Sequence, residues 1–444
     1  MNKKHSLLSR LSALLLIIVL LTASLTGCFF NKDGGYTNDM QITKDSVVTK
    51  LTEYKDIPAF NTTAFANVEI CFNYYYYTTL PDNDTLARET KAAFDKYCSD
   101  VDKNDKDAVT HALIDCFIYA IGDDYAFFRT PEELEDYNTD MSGSFVGIGV
   151  GVLSNRLENT ILVTGTEPDS PALAAGIKAG DYIIAVEGEL VSEIGTDAAV
   201  NKIKGEVGTP VTVTIKRGED EFSLTMIRTL ITETFVTYEF IENTKIAYVK
   251  IKSFKGDDNN STLTQFREAL TFAENGGAEG IIFDVCANPG GYLHLVVDML
   301  SYLVPTGTPI VSFSNNRESM YAENDGTAAN PFDHVLSIPS VVITNESSAS
   351  AAELFAGALR DYNEMGVLRS TSVGKTSFGK GIMQSTLAFR DGSALTLTTA
   401  LYNSPKGTNF HGVGVVPAVE ANDGDDFIAL AVAELEKMMQ NVAN

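Results

Sequence analysis

Ser350 lies in a short run of serine and alanine residues that joins two segments of different hydrophobic period. The apolar run 340–344 predicts a buried strand, and the segment 350–359 predicts a helix. A serine at the start of a helix lies beside unpaired backbone N–H groups and the positive end of the helix dipole, which stabilise a developing oxyanion. Ser350 is therefore a candidate nucleophile, although a serine that only caps the helix would produce the same pattern.

A serine nucleophile needs a general base, and none of the five histidines lies in a serine–aspartate arrangement that the sequence reveals. A lysine can serve if its pKa, near 10.4 when free, falls by about three units, which costs the charged form about 4 kcal/mol. The glycine-rich segment 374–384 offers Lys375 and Lys380. We favour Lys380, which lies between two glycines at the edge of a predicted strand, and we expect Gln384 to hold its amine. A solvated lysine in a glycine-rich turn is the alternative for either residue.

Two glycine patterns suggest nucleotide binding, and each fails at a required position. The segment 374–381 has the glycine–lysine spacing of a phosphate-binding loop, but Gly381 stands where a hydroxyl must reach Mg²⁺. The segment 147–152 begins like a dinucleotide-binding loop, but Val152 replaces the third glycine. The sequence therefore implies neither a nucleotide nor a metal cofactor.

Three blocks of the chain must position these residues. The segment 62–141 has mostly helical periodicity, and the segment 142–230 predicts short strands with two helices. The first of these is a short helix at 170–176 with proline at its start and glycine at its end, and 211–216 is predicted to pair with 222–228 as a hairpin. From 231 to 444, apolar strands alternate with helices, one of which is predicted to begin with a capping box of Thr262 and Gln265. This alternation predicts an α/β core, and the whole chain is predicted to be a multidomain α/β protein.

The composition limits the partners of the protein. The 444 residues are 44% hydrophobic and 21% charged, which is typical of folded domains rather than of a disordered or fibrous chain. Because 59 acidic residues outnumber 33 basic ones, the formal net charge is −26, and such a surface repels nucleic acid and anionic lipid. Five cysteines in a chain of this length cannot form a disulfide scaffold.

The first residues predict export from the cell. A basic start precedes the apolar stretch 13–21, which is too short to span a bilayer comfortably, and small residues lead up to Cys28. This pattern resembles a bacterial lipoprotein signal, in which the Cys28 thiol is lipidated; an ordinary secretory peptide is the alternative. We expect 1–27 to be removed, 28–61 to form a flexible tether, and the protein to be lipid-anchored on the extracytoplasmic face of a bacterial cell membrane. The sequence leaves open which pair of thiols could form a disulfide there: Cys71, Cys98 or Cys116.

The middle block resembles the bacterial type of PDZ domain. The resemblance rests on three short segments, 170–172, 175–177 and 180–183. The residues that lie where such domains bind the terminal carboxylate of a peptide are Gly147, Ile148 and Gly149. Glycines expose backbone N–H groups, and an open strand edge can accept an extended peptide, so the physical properties agree with the resemblance. A glycine-bearing turn without a ligand is the alternative.

Taken in order, the segments resemble the carboxyl-terminal processing proteases, also called tail-specific proteases, which are serine peptidases with an embedded PDZ domain. The resemblance covers nearly all of the chain after the signal. It rests further on Gln384 and on the segments 122–128, 141–145, 348–353, 378–381, 402–407 and 412–417. It implies three domains: a helical N-terminal domain at 62–141, a PDZ domain at 142–230 and a crotonase/ClpP-like α/β protease core at 231–444.

The resemblance also implies the roles of individual residues. Ser350 is the nucleophile, Lys380 the general base and Gln384 the residue that orients it, with Glu353 as a supporting candidate. The backbone N–H groups implied to form the oxyanion hole are those of Ala351 and of Gly290 or Gly291. The implied function is an exported serine endopeptidase whose partners are proteins with unstructured, apolar C-terminal tails, and the family also suggests a homo-oligomer.

Three departures from the family pattern leave a second hypothesis open. Cys286 and Ala287 replace the usual arginine before the Asn-Pro-Gly-Gly segment, and Lys375-Thr376 replaces a common Glu-Lys pair. The separation of the serine from its base is longer than usual, which predicts an insertion at 363–371 that enlarges a loop beside the base. The alternative function is a non-catalytic PDZ lipoprotein that only binds peptides and tethers partners.

Overall fold

The computed structural model describes residues 43–155, 160–257, 260–314, 326–327 and 334–440. The predicted signal and its lipidation site Cys28 lie outside the described residues. The chain divides into two compact units. The first unit contains Met1–Asp136, Val311–Gly326 and Gly381–His411, and the second contains Tyr137–Ile310, Thr327–Lys380 and Gly412–Asn444.

Helices occur in both units. Within the described residues they are α1 (Val47–Thr52), α2 (Thr62–Tyr75), α3 (Asn83–Tyr97), α4 (Lys106–Ile121), α5 (Pro131–Ser142), α6 (Pro171–Ala174), α7 (Val191–Ile194), α8 (Thr196–Ile203), α9 (Thr262–Asn275), α10 (Leu293–Leu303), α11 (Ala351–Glu364) and α12 (Phe427–Gln440). None of these described helices is both long enough and apolar enough to cross a membrane.

The strands are mostly short. They are β1 (Phe127–Arg129), β2 (Ser144–Gly147), β3 (Val150–Asn155), β4 (Thr160–Thr166), β5 (Tyr182–Val186), β6 (Glu189–Leu190), β7 (Pro210–Arg217), β8 (Asp220–Ile227), β9 (Thr229–Thr232), β10 (Val236–Phe240), β11 (Ile246–Ile251), β12 (Gly280–Asp284), β13 (Pro309–Ser314), β14 (Gly326–Thr327), β15 (Ser340–Thr344), β16 (Ser370–Gly374), β17 (Ile382–Ala388), β18 (Ala394–Asn403) and β19 (Val419–Glu420).

The first unit joins helices to strands that come from late in the chain. Side chains of Asn61, Asp82 and Asp105 cap the starts of α2, α3 and α4, and Gly122 ends α4 in the left-handed conformation. The helical periodicity seen in the sequence is therefore confirmed. The buried faces of these helices form one core with three leucines of β17 and β18: Leu387, Leu395 and Leu397.

The flexible tether predicted at 28–61 does not extend into α1, which begins at Val47. Val47, Val48 and Leu51 of α1 are buried in the core of the first unit. The buried carboxylate of Glu69 accepts the backbone N–H groups of Val47 at 2.7 Å and Val48 at 3.0 Å, and so satisfies the amino end of α1. The prediction was wrong from Ser46 onward because the cap that orders this helix comes from a residue far along the sequence.

Two of the three thiols left open by the sequence lie in contact. The sulfur of Cys98, which follows α3, is 3.6 Å from that of Cys116 in α4, and the structure contains no bond between them. Burial raises the pKa of the Cys116 thiol, so this thiol is protonated at neutral pH. Cys98 and Cys116 are therefore the two of the three cysteines whose sulfur atoms lie close together, and whether they form a disulfide stays a prediction.

The amino-terminal part of the second unit is a β-rich fold around its own core. Its sheet has the strand order β3-β4-β5-β7-β8, with β6 paired to β5, and β7 and β8 form the predicted hairpin. The hydroxyl of Ser170 caps α6, and Gly176 follows the helix with a positive φ, as the sequence pattern indicated. Strand β3 is an edge strand of this sheet.

The rest of the second unit is an α/β structure. Its sheet has the order β10-β11-β12-β15-β16-β19, in which all strands except β10 pair in parallel. Every residue of β12 and β15 is buried, which explains their continuous apolar sequences. The predicted α/β core is thus confirmed, and the carboxyl ends of its parallel strands meet at one edge of the sheet.

The start of α9 differs from the prediction. Ser261, not Thr262, is the N-cap, and its hydroxyl accepts a backbone N–H of the first turn at 3.3 Å. The side-chain oxygen of Gln265 accepts the N–H groups of Phe235 at 2.8 Å and Val236 at 2.9 Å. The predicted capping box is wrong because Gln265 satisfies the backbone before β10 rather than its own helix.

Candidate active site

The candidate residues follow neighbouring parallel strands of the α/β sheet. The loop 286–291 follows β12, the turn 345–350 follows β15, and the segment 375–380 follows β16. Because these strands are parallel and adjacent, their carboxyl ends bring the three segments to one edge. All three belong to the second unit, so the sheet itself places the candidate nucleophile, oxyanion donors and base in one region.

Ser350 joins a buried strand to a buried helix in a strained conformation. Its φ of 58° and ψ of −120° are uncommon for a residue with a side chain. The helix that follows, α11, buries both Ala351 and Ala352 and nearly all of its other residues. A serine in a sharp strand-to-helix turn is typical of nucleophiles, because the turn exposes the hydroxyl beside the first amides of the helix.

Hydrogen bonds hold this turn against the loop after β12. The hydroxyl of Ser348 donates to the carbonyl of Val285 at 2.8 Å and accepts the N–H of Asn345 at 2.9 Å. The N–H of Ala349 donates to the carbonyl of Asn288 at 2.9 Å. The strained conformation of the next residue is therefore fixed by bonds on its amino-terminal side.

Gly290 has to be a glycine because its backbone lies against the candidate nucleophile. A Cβ at this position would lie 2.7 Å from the Cβ of Ser350 and 3.0 Å from the amide nitrogen of Ala351. Its φ of 99° also favours glycine. The structure thus brings the glycine loop and the first amide of α11 together around Ser350.

Asn288 binds the amide of one of the two glycines that were predicted as oxyanion donors. This fully buried side chain donates to the carbonyl of Ile251 at 3.0 Å and accepts the N–H of Gly290 at 2.8 Å. The amide of Gly290 is therefore bonded in this arrangement. The choice of Gly290 or Gly291 as the oxyanion donor stays a prediction, and this hydrogen bond favours Gly291.

A single buried carboxylate joins the segment of the nucleophile to the segment of the base. The side chain of Glu353, 0% exposed, accepts the N–H of Ser350 at 2.8 Å and the N–H of Lys380 at 2.7 Å. It also accepts the hydroxyl of Ser377 at 2.5 Å and the N–H of Gly379 at 2.6 Å. Four donors on one carboxylate compensate for the loss of water around a buried charge.

The two lysines of the glycine-rich segment have different surroundings. The ammonium group of Lys375 lies between the carboxylates of Asp423 and Glu346, the latter at 3.2 Å. Asp423 first and then Glu346 raise the pKa of Lys375, so this lysine is held in its charged form and is a poor base at neutral pH. The backbone of Lys380, in contrast, is fixed to the helix of Ser350 through Glu353.

The predicted insertion at 363–371 lies away from the base. Helix α11 ends at Glu364 and β16 begins at Ser370, so these residues form the connection to the amino end of β16. Lys380 follows the carboxyl end of the same strand. The expectation of an enlarged loop beside the base is therefore wrong, because the whole length of a strand separates the two.

Gln384 lies in the first unit, on β17, where the pairing register shifts between Met383 and Gln384. Its side-chain nitrogen donates to the carbonyl of Tyr125 at 2.5 Å. Asp123, which is buried, accepts the N–H groups of Tyr125 at 3.1 Å and Thr398 at 3.0 Å. The segment 122–128, singled out in the sequence, thus anchors the amide of Gln384. Its contact with the amine of Lys380 stays a prediction.

The predicted peptide-binding residues lie at the start of the edge strand β3. Ile148 is buried and its carbonyl accepts the N–H of Ala172 at 2.9 Å. Gly149 has a φ of 74°, and a Cβ there would lie 2.4 Å from the Cβ of Ser170. Gly147 ends β2, which pairs with β9. The turn is thus packed tightly and leads directly into β3, the end strand of the sheet as far as the structure describes it.

Within the described residues, no group of three or more histidine, cysteine, aspartate or glutamate side chains is arranged to hold a metal ion. The functional groups in this region are the hydroxyl of Ser350, the amines of Lys375 and Lys380, the buried carboxylate of Glu353 and backbone amides.

Two family models match the chain. Residues 245–421 match peptidase family S41, and residues 137–216 match the PDZ domain. The S41 match runs from just before β11 to the end of β19 and includes residues of both units, whereas the PDZ match lies in the β-rich part of the second unit and just before it. The predicted fold class, a multidomain α/β protein with a PDZ domain and a protease core, is confirmed.

Individual proteins extend the comparison. Probable CtpA-like serine proteases of Staphylococcus aureus (strain COL) and Staphylococcus haemolyticus (strain JCSC1435) are each 32% identical over 317 residues, or 71% of this chain. The chain covers 61% and 60% of the length of these relatives. The solved structure of the photosystem II D1 C-terminal processing protease has a TM-score of 0.50 at 23% identity and covers 84% of this chain and 96% of its own. This last likeness shows a shared fold.

We predict that Glu353→Ala destabilises the second unit. The substitution leaves four buried donors without their acceptor, so we expect the free energy of unfolding to fall by about 2–4 kcal/mol. Urea unfolding followed by circular dichroism measures the change. Glu268→Ala, at an exposed position of α9, is the control and should change the value by less than about 0.5 kcal/mol. Equal effects of the two substitutions would contradict the role assigned to Glu353.

Proposed function

We propose that the chain is a serine endopeptidase with Ser350 as nucleophile and Lys380 as general base. The observation that carries the proposal is the buried Glu353, which binds the backbone N–H of both residues. A shared carboxylate fixes the relative position of the two backbones. The family S41 match and the serine protease relatives support the same activity.

The reaction follows from these groups. The neutral amine of Lys380 takes the proton of the Ser350 hydroxyl while the oxygen attacks the substrate carbonyl. The N–H groups of Ala351 and Gly291 stabilise the resulting oxyanion, aided by the positive end of α11. The lysine ammonium then gives its proton to the leaving amine, which breaks the peptide bond and leaves a serine ester. Water, deprotonated by the same amine, hydrolyses the ester and restores the serine.

Gln384 is proposed to orient the base. Its side-chain nitrogen donates to the carbonyl of Tyr125, which leaves its oxygen available to accept a proton of the Lys380 amine. A neutral amine offers two N–H donors, so one can bind the glutamine oxygen while the lone pair points to Ser350. The bulge at Met383 and Gln384 supports this role, since register shifts redirect side chains near active sites.

The PDZ domain is proposed to capture the C-terminal tails of substrate proteins. Edge strand β3 can add an extended peptide as a new strand, and the amides of Gly147, Ile148 and Gly149 can bind the terminal carboxylate. Tails that are unstructured and apolar fit this mode, because the neighbouring core is apolar and the acidic surface repels charged anionic segments. The name of the processing protease that shares this fold supports tail processing as the reaction.

Export and anchoring complete the proposal. Because the basic and apolar residues before Cys28 resemble a lipoprotein signal, we propose that the mature protein begins at Cys28 and is held by lipid at the outer face of the cell membrane. The relevant substrates are then extracytoplasmic proteins. This location keeps the peptidase away from the cytoplasm.

The dyad is tested with protein that begins at Cys28 and with an unfolded, apolar-tailed substrate. We expect Ser350→Ala and Lys380→Ala to lower kcat by about 10³-fold or more, because the first removes the proposed nucleophile and the second removes the proposed general base. Lys375→Ala is the matched control and should stay within about threefold of the wild type, since its pKa keeps it charged. Equal cleavage by wild type and both dyad variants would reject the peptidase and favour the tethering function. If only Lys375→Ala is inactive, the base is Lys375.

Tail capture is tested by amidating the C-terminus of the substrate. Loss of the terminal charge removes charge-assisted hydrogen bonds to the amides near Gly149, so we expect kcat/KM to fall by about tenfold. A matched short peptide without the tail, cleaved at the same bond, should not respond to amidation. An unchanged kcat/KM for the amidated tail would argue against carboxylate recognition.

Anchoring is tested by Cys28→Ser in a bacterial host that exports lipoproteins. We expect the wild-type protein in the membrane fraction and the variant in the soluble fraction, because only a cysteine thiol accepts the lipid. Immunoblots of the two fractions give the measurement. The same distribution for both proteins would contradict a lipid anchor at Cys28.

A further inference from the structure

A lysine–carboxylate pair that the proposed dyad does not use lies at the carboxyl ends of β11 and β12. Lys250 and Asp284 are register partners in these strands, with 2.9 Å between Nζ and Oδ1. Their side chains are 25% and 9% exposed, so the pair is largely removed from water. The ammonium group of Lys250 also donates to the carbonyl of Cys286 at 2.8 Å.

Asp284 of the same pair binds the backbone N–H of Cys286. Oδ1 of Asp284 accepts the N–H of Cys286 at 2.7 Å, and Oδ2 accepts the hydroxyl of Tyr248 at 2.5 Å. Burial and then Asp284 raise the pKa of Tyr248, so this hydroxyl stays protonated and remains a donor. Burial also raises the pKa of the Cys286 thiol, which is therefore neutral. Both backbone polar groups of Cys286 are thus bound by one ion pair.

Cys286 is the first residue of the loop 286–291, which we name the oxyanion loop. The next residue, Ala287, has a φ of 58°, which is costly for a residue with a side chain and persists only where the surroundings enforce it. The far end of the loop is fixed by Asn288, and Gly290 lies against Ser350. The direction of the amides at 290–291 therefore depends on how both ends of a six-residue loop are held.

We propose that Lys250 is a positioning residue for the oxyanion loop. Its ammonium group neutralises Asp284 and fixes the peptide of Cys286, and in this way it sets the direction of the amides at 290–291. The inference rests on the proposed peptidase function for its effect on rate. Without the lysine, the Asp284 side chain loses its ion-pair partner and the carbonyl of Cys286 loses its donor.

The chain supplies a matched control at the other end of the same two strands. Lys245 precedes β11 and Glu279 precedes β12, and their side chains form a pair with 2.5 Å between Nζ and Oε1. These side chains are 66% and 53% exposed, and the pair lies at the amino ends of the parallel strands, opposite the oxyanion loop. Lys245→Met therefore removes a lysine–carboxylate pair between the same strands without touching the loop.

The first experiment compares Lys250→Met with Lys245→Met in the cleavage assay. We expect Lys250→Met to lower kcat by about tenfold to a hundredfold with KM within about twofold, because misplaced amides affect the transition state more than substrate binding. Lys245→Met should match the wild type in both constants. Lys250→Arg, which keeps the charge, should recover most of kcat. Equal kcat values for Lys250→Met and Lys245→Met would overturn the inference.

A second measurement does not depend on activity. Hydrogen exchange followed by mass spectrometry reports the amides of the oxyanion loop in full-length Ser350→Ala protein. Lys250→Met should speed their exchange at least about tenfold, and Lys245→Met should leave it unchanged. If the wild-type chain cleaves nothing but the loop responds, the peptidase function fails and the positioning role stands. If the loop does not respond, the positioning role fails even when the chain is an active peptidase.

A variant with a smaller structural change keeps the inference testable if Lys250→Met does not fold. Tyr248→Phe keeps the ring and removes only the hydroxyl that binds Oδ2 of Asp284. We expect it to fold and to show a smaller change of the same kind, with kcat lowered about threefold and loop exchange increased. If Lys250→Met does not fold, wild-type kcat together with wild-type loop exchange in Tyr248→Phe would count against the inference.

Discussion

The candidate site depends on one buried carboxylate. Glu353 sits in the first turn of α11 with no exposure to solvent, and each of its oxygens accepts two hydrogen bonds. A charge in such a position is stable only when its donors are already in place. The turn of Ser350 and the segment of Lys380 supply these donors. The carboxylate therefore makes the order of the two segments mutually dependent, and neither can move without leaving a buried charge unsatisfied.

Strain at the candidate nucleophile is the second consequence of this arrangement. A non-glycine residue with a φ of 58° is unfavourable by about 1–3 kcal/mol, so the surrounding contacts have to enforce it. The bonds of Ser348 and Ala349 act before the serine, Glu353 acts at its N–H, and Gly290 packs against its Cβ. These groups come from the turn after β15 with the first turn of α11, and from the loop after β12, while the segment after β16 supplies further donors to Glu353. Catalytic geometry is here a property of three loops together and not of the serine turn alone.

The sequence was sufficient for the features that are local. The strand–turn–helix around Ser350, the α/β alternation and the hairpin of β7 and β8 follow from hydrophobic period and turn residues within short windows. The sequence was not sufficient where a side chain far along the chain binds the backbone group in question. The Glu69 carboxylate, from another helix, accepts an N–H at the start of α1. The side-chain oxygen of Gln265 accepts the N–H of Phe235 instead of an N–H of its own helix, and that of Asn288 accepts the N–H of Gly290. A single sequence gives no sign of such side-chain to backbone bonds, because their two ends share no spacing.

The choice between Lys375 and Lys380 illustrates how the two kinds of information combine. Both residues lie in one glycine-rich segment, and the local pattern favoured Lys380 only through its flanking glycines and Gln384. The structure adds an electrostatic difference: Asp423, 48 positions further along the chain, and Glu346 from the preceding strand end surround the amine of Lys375. An amine between two carboxylates stays charged. Glu353, in contrast, accepts the backbone N–H of Lys380 together with three other donors, so the carboxylate that orders the site binds the backbone of the proposed base. A single sequence could show neither arrangement, because the residues that form each one are far apart along the chain.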